Sequence, residues 1–77
     1  MDDGELDKHI IQVAELRGQG TFKVEDLRWA INYRVGAMAT PKAPRILERL
    51  EVLEKEGRVE RAGRGSWRLK ALEVGRE

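Results

Sequence analysis

The chain has no cysteine and a single histidine, His9, among its 77 residues. Without thiols there is neither a disulfide framework nor a thiolate metal site, and one histidine does not build a zinc site. The lack of cysteine fits a reducing compartment. Hydroxyl side chains are nearly missing too: Ser66, Thr21 and Thr40 are the only serine and threonines. No serine–histidine–carboxylate set and no glycine-rich phosphate loop can be assembled, so the expectation is a protein that is not an enzyme and needs no cofactor. No apolar run approaches the roughly 18 residues of a membrane span. The acidic start, Met1-Asp2-Asp3-Gly4-Glu5, is unlike a basic signal peptide. The expected setting is soluble and cytoplasmic, with no membrane partner.

A chain of this length is one domain, expected over residues 1–70 with a C-terminal tail at 71–77. It can bury only roughly 60% of the surface its unfolded form exposes. With no staple available, its stability must come from a helical core, an oligomer or a partner.

The net charge of +1 hides an asymmetry. Residues 1–33 carry four lysines and arginines against seven acids, whereas residues 34–77 carry eleven against seven. A split of this kind suggests a face that meets an anion.

Leu6, Ile10, Val13 and Leu16 follow a period close to 3.6, predicting a first helix over about 5–17 with one apolar stripe and Asp3 as its cap. Gly18 and Gly20 end it. Thr21-Phe22-Lys23 reads as a stub of strand. A second helix is predicted from about Val24 to Tyr33, with Val24, Leu27 and Ile31 on one face and Glu25 and Asp26 in the first turn, where acids are favoured. Residues 35–40 break the helices, and Met38 is expected to plug into the core. The third helix is the clearest: Ile46, Leu47, Leu50 and Leu53 form its apolar face and Gly57 closes it. Thr40 before Pro41 offers one start. Ala43 precedes Pro44, and a residue before proline avoids the helical region, so the preferred start is Pro44.

After Gly57 the pattern alternates. Val59 and Arg61, then Trp67 and Leu69, flank the glycine-bracketed turn Ala62-Gly63-Arg64-Gly65. Two alternating runs around such a turn predict a β-hairpin with Val59, Trp67 and Leu69 against the helices.

The order helix, stub, helix, helix, hairpin, together with Ile46 to Arg61 and Gly63 to Leu69, resembles the winged helix-turn-helix superfamily. Two leucines three apart, a glycine closing the helix, a short strand, a basic turn and a second strand carry the likeness, which covers about residues 5–70. It implies an α+β fold, a winged helix of three helices followed by a two-stranded hairpin wing. It also implies binding to double-stranded DNA, as a small transcriptional regulator or a phage or mobile-element accessory protein. Two departures stand out. Lys23 precedes the second helix where such domains often place Ser or Thr, and the turn from Arg34 to Thr40 is long.

In that family the third helix enters the major groove. Lys42, Arg45 and Arg49, three and four apart, would form a stripe on it, where an arginine fork suits guanine. The alternative is that Arg45 and Arg49 pair with Glu48, Glu51 or Glu56 on a solvated surface. Arg58, Arg61, Arg64, Arg68 and Lys70 crowd the hairpin against Glu60 alone, which suits phosphate contact; the alternative is protection of exposed strand edges. Glu48 and Glu51 weigh against phosphate. Trp29 and Tyr33, four apart on the second helix, lie off its apolar face. They form either an exposed ridge for a protein partner or, the preferred reading, pack beneath the long turn with Met38 or against the tail. A protein-interaction adaptor or inhibitor that uses this fold without DNA is therefore the rival to the DNA-binding reading. No heptad seam decides between monomer and homodimer.

Overall fold

The computed structural model describes residues 1–18 and 20–70. The expected tail, 71–77, lies outside the described residues. The chain forms helix α1 (Asp3–Arg17), helix α2 (Val24–Val35), a single 3₁₀ turn (Ala37–Ala39), helix α3 (Ala43–Lys55), and strands β1 (Val59–Gly63) and β2 (Ser66–Leu69). This is the α+β, winged-helix topology of three helices followed by a two-stranded antiparallel hairpin.

Local chemistry fixes the helix ends. Asp2, not Asp3, caps α1, its carboxylate accepting from the Glu5 N–H at 2.8 Å. At α2 the Asp26 carboxylate reaches back to the Lys23 N–H at 2.9 Å. That is half of a capping box, since lysine offers no acceptor to return the bond. Helix α3 begins at Ala43, one residue before the proline, with Lys42 still extended. Ala43 takes the first helical position and Pro44 the second, where a missing N–H costs nothing. Thr40 stays outside the helix and donates its hydroxyl to the Gly36 carbonyl at 2.6 Å. Gly57 ends α3 with φ of 79°, a conformation glycine reaches without the Cβ penalty.

The core is one cluster: Leu6, Ile10, Val13 and Ala14 from α1, Leu27 and Ile31 from α2, and Ile46, Leu50 and Leu53 from α3. Phe22, Val59 and Trp67 close it from the sheet side. Phe22 and Trp67 exchange two backbone hydrogen bonds of 2.8 Å. The stub before α2 thereby becomes a one-residue third rung of the sheet and ties the hairpin to the helices. Within the hairpin Val59 faces Leu69 and Arg61 faces Trp67, with the register shifting at the turn between Arg61 and Gly63.

Three apolar residues depart from the expected core. Leu16 is 79% exposed, Leu47 is partly exposed and Met38 stands wholly in solvent. Leu16 lies in the last turn of α1, off the buried face of Leu6, Ile10, Val13 and Ala14. Met38 sits on the 3₁₀ turn, which contributes no buried residue. His9 is half-buried on α1.

Candidate functional site

The predicted basic residues do not form one surface. On α3, Arg45 and Arg49 turn toward α1. Arg49 donates to both carboxylate oxygens of Asp7, at 2.9 and 2.7 Å, and lies 3.5 Å from Asp3. Arg45 meets Asp3 at 3.1 Å. The hydrogen bonding that Arg49 donates to Asp7, together with the nearby acids, outweighs desolvation and raises the Arg49 pKa above the usual arginine value. The partners that sequence suggested for this pair, Glu48, Glu51 and Glu56, make no ion pair with it among the described residues. The exposed positions of α3 are instead Ala43, Pro44, Leu47, Glu48 and Glu51, followed by Lys55. The face that the resemblance would set in a groove carries Leu47, Glu48 and Glu51 at its middle, with lysines only at its ends, Lys42 and Lys55.

The hairpin arginines divide as well. Arg68 bonds Glu60 at 2.7 Å, and the two are direct cross-strand partners. The Arg61 guanidinium carbon lies over the Trp67 ring, 4.4 Å from its centroid, within the range of a cation–π contact. It also reaches Glu54 at 3.5 Å and Glu51 at 3.8 Å. Arg58 borders a different cleft, beside Asp7, Lys8, Ile11 and Gln12 of α1. Lys42 and Arg64 are exposed and make no ion pair among the described residues. One basic grouping does survive. Lys23, Arg61 and Arg64 line a shallow cleft between the start of α2, Leu47 of α3 and the hairpin, with Glu25 as its one acid.

The second candidate surface lies between α1 and α2. Trp29 is 71% exposed and Tyr33 83% exposed, so the turn with Met38 does not cover them; packing against the tail falls on residues outside those described. Their rings stack, centroids 6.0 Å apart and planes 13° from parallel. The geometry follows from the helix: residues four apart lie one above the other on the same face. That face points away from Leu27 and Ile31, which fill the core. Beside the stack runs an open, mainly apolar cleft of about 390 Å³, floored by Val13 and Ala30 and edged by Leu16, Asp26 and Arg34. Arg17 bridges the cleft mouth to Asp26 at 3.7 Å.

Sequence reasoning missed the roles of Asp3, Asp7, Leu16 and Lys23. A signal for the first two was present: Asp3 and Asp7 are four apart, as are Arg45 and Arg49, and matching spacings let two helices pair charges rung by rung. Among the described residues no group of acids and histidines is arranged to hold a metal, and no helix is long and apolar enough to cross a membrane. No family model, curated protein or solved structure matches this chain.

Proposed function

We propose that the chain is a protein-interaction module, an adaptor or inhibitor built on a winged-helix fold, and that it docks through the α1–α2 face. The observation that carries this reading is the solvent-exposed Trp29–Tyr33 stack beside Leu16. Interface centres are enriched in aromatic residues, and a handful of such residues carries most of the binding energy at protein interfaces. A stack already formed in the free chain loses little rotamer entropy on docking. Base reading by α3 would need it to present arginines, and Arg45 and Arg49 are held by Asp3 and Asp7 while Glu48 and Glu51 face solvent.

The test is affinity capture with the wild-type chain and with Trp29→Ala as baits, run beside duplex-DNA binding at low salt. A protein retained by the wild type and lost by the variant supports the module. Tight DNA binding with no Trp29-dependent capture overturns it.

A second reading, a small DNA-binding regulator related to the winged helix-turn-helix superfamily, is favoured by the Lys23, Arg61 and Arg64 cleft at the hairpin. Such a binder would grip the phosphate backbone with the hairpin rather than read bases with α3, and its affinity would fall steeply with salt.

A further inference from the structure

We propose that the occupant of the α1–α2 face is a second copy of the chain, packed α2 against α2 about a two-fold axis at Ala30. The inference deepens the protein-interaction reading and rests on it.

Asp26, Ala30 and Arg34 are four apart on α2 and all border the same cleft. They form one ridge, an acid at its start, the smallest residue at its middle and a base at its end. Asp26 and Arg34 are eight residues apart, about 12 Å along a helix. A two-fold axis through Ala30 reverses the ridge and sets the Asp26 carboxylate of one copy opposite the Arg34 guanidinium of the other, twice over. The small Ala30 side chain permits close approach of the two helices. The Trp29–Tyr33 stack forms the neighbouring ridge. Its midpoint falls one residue, about 1.5 Å, from Ala30, so the same axis serves both ridges. Each copy can then lay its aromatic ridge in the cleft of the other, the ridge-into-groove arrangement that packs helices.

The charges agree with this placement. Arg34 donates to the Gln12 side-chain carbonyl at 2.7 Å and has no carboxylate partner among the described residues. Asp26 holds the Lys23 N–H and the distant Arg17, and a carboxylate retains acceptor sites beyond those. Ridge and cleft, acid and base are thus all present on one face, which is what an isologous contact requires.

Sedimentation equilibrium from micromolar to millimolar chain tests the proposal on the wild type, Ala30→Glu, Arg34→Glu and, as a control away from the face, Arg64→Ala. Asp26 is left untouched because it caps α2. The wild type and Arg64→Ala are expected to reach twice the chain mass. Each of the other two is expected to raise the dissociation constant by roughly tenfold or more; because Ala30 packs partly against the core, far-ultraviolet circular dichroism is read on both, and Arg34→Glu, at an exposed position, decides the test if Ala30→Glu loses helix. A wild type that stays at monomer mass throughout overturns the proposal, and so does a dimer that survives either face variant. A monomeric wild type that still captures a protein through Trp29 overturns only the identity of the occupant, whereas loss of both removes the interaction reading as well.

Discussion

Asp7 on α1 accepts from both Nε and an Nη of Arg49 on α3, at 2.9 and 2.7 Å. The fork-to-carboxylate geometry is the strongest form of this pairing, and both side chains are largely shielded, at 20% and 17% exposure. A guanidinium left half-buried without its acid costs more than an exposed pair contributes. Asp7→Ala is therefore expected to lower the melting temperature by roughly 5 °C, a readily measured shift for a domain of this size. Asp3→Ala, which removes an exposed acid, is expected to change it far less. Equal effects in thermal unfolding would contradict this ranking.

The same pair makes a statement about pH. Asp7 raises the Arg49 pKa. A base raised on folding adds stability that is fully present below its unfolded value and lost only as pH rises through the folded one. Both values lie far above neutrality, so Arg49 contributes no slope to the stability profile across the neutral range. A denaturation series comparing wild type with Arg49→Lys is expected to give parallel pH profiles there, offset by a constant amount.

Trp67 is the largest buried side chain, and its backbone pairs with both Arg61 and Phe22. An aromatic-to-alanine change in a core costs about 3–5 kcal/mol, against a total stability of about 5–15 kcal/mol for a typical domain. Trp67→Ala is expected to be largely unfolded at 37 °C by circular dichroism, and Trp67→Phe to fold with reduced stability. A native spectrum for Trp67→Ala would show that the hairpin is dispensable to the core.

Periodicity made the three helices and the hairpin legible, because Leu6, Ile10, Leu27, Ile31, Ile46, Leu50, Leu53, Val59 and Trp67 all sit where their spacing places them. It misplaced Leu16 and Leu47 because apolar spacing does not set the width of the buried face, which is Leu6, Ile10, Val13 and Ala14 on α1 and Ile46, Leu50 and Leu53 on α3, and Met38 because no periodicity applies in the turn. The candidate site was less legible. That Arg45 and Arg49 lie on one stripe was readable; that the stripe faces α1 was not, because it depends on how α3 is rotated against α1. The apolar residues at 46, 50 and 53 allow basic flanks on either side. The fate of Trp29 and Tyr33 was not legible, because spacing shows that they lie off the apolar face of α2 but not what covers that side of the helix.

Trp29 makes no contribution to the core, so Trp29→Ala is expected to alter stability by no more than about 0.5 kcal/mol, as is usual for exposed positions. Fluorescence offers the direct measurement. At concentrations where the chain is monomeric, wild-type emission should combine a solvent-exposed indole, quenched by iodide, with a protected one from Trp67. Trp29→Phe is expected to leave a single blue-shifted, iodide-resistant band. A band that remains quenchable would place Trp67 at the surface instead.

Arg64 stands at the hairpin turn, exposed, in the cleft with Lys23 and Arg61. Arg61 is already engaged by Trp67, Glu51 and Glu54, and releasing it to a phosphate would break those contacts. Any polyanion binding should therefore depend on Lys23 and Arg64 more than on Arg61. Each phosphate neutralised on duplex DNA contributes about 0.9 to the slope of log affinity against log salt. Arg64→Ala and Lys23→Ala are each expected to flatten that slope by roughly one unit, while Arg45→Ala and Arg49→Ala leave it unchanged because their charges are spent on α1. A slope that falls with Arg45 or Arg49 would mean that α3 exchanges its ion pairs with α1 for DNA, and the protein-interaction reading would lose its main support.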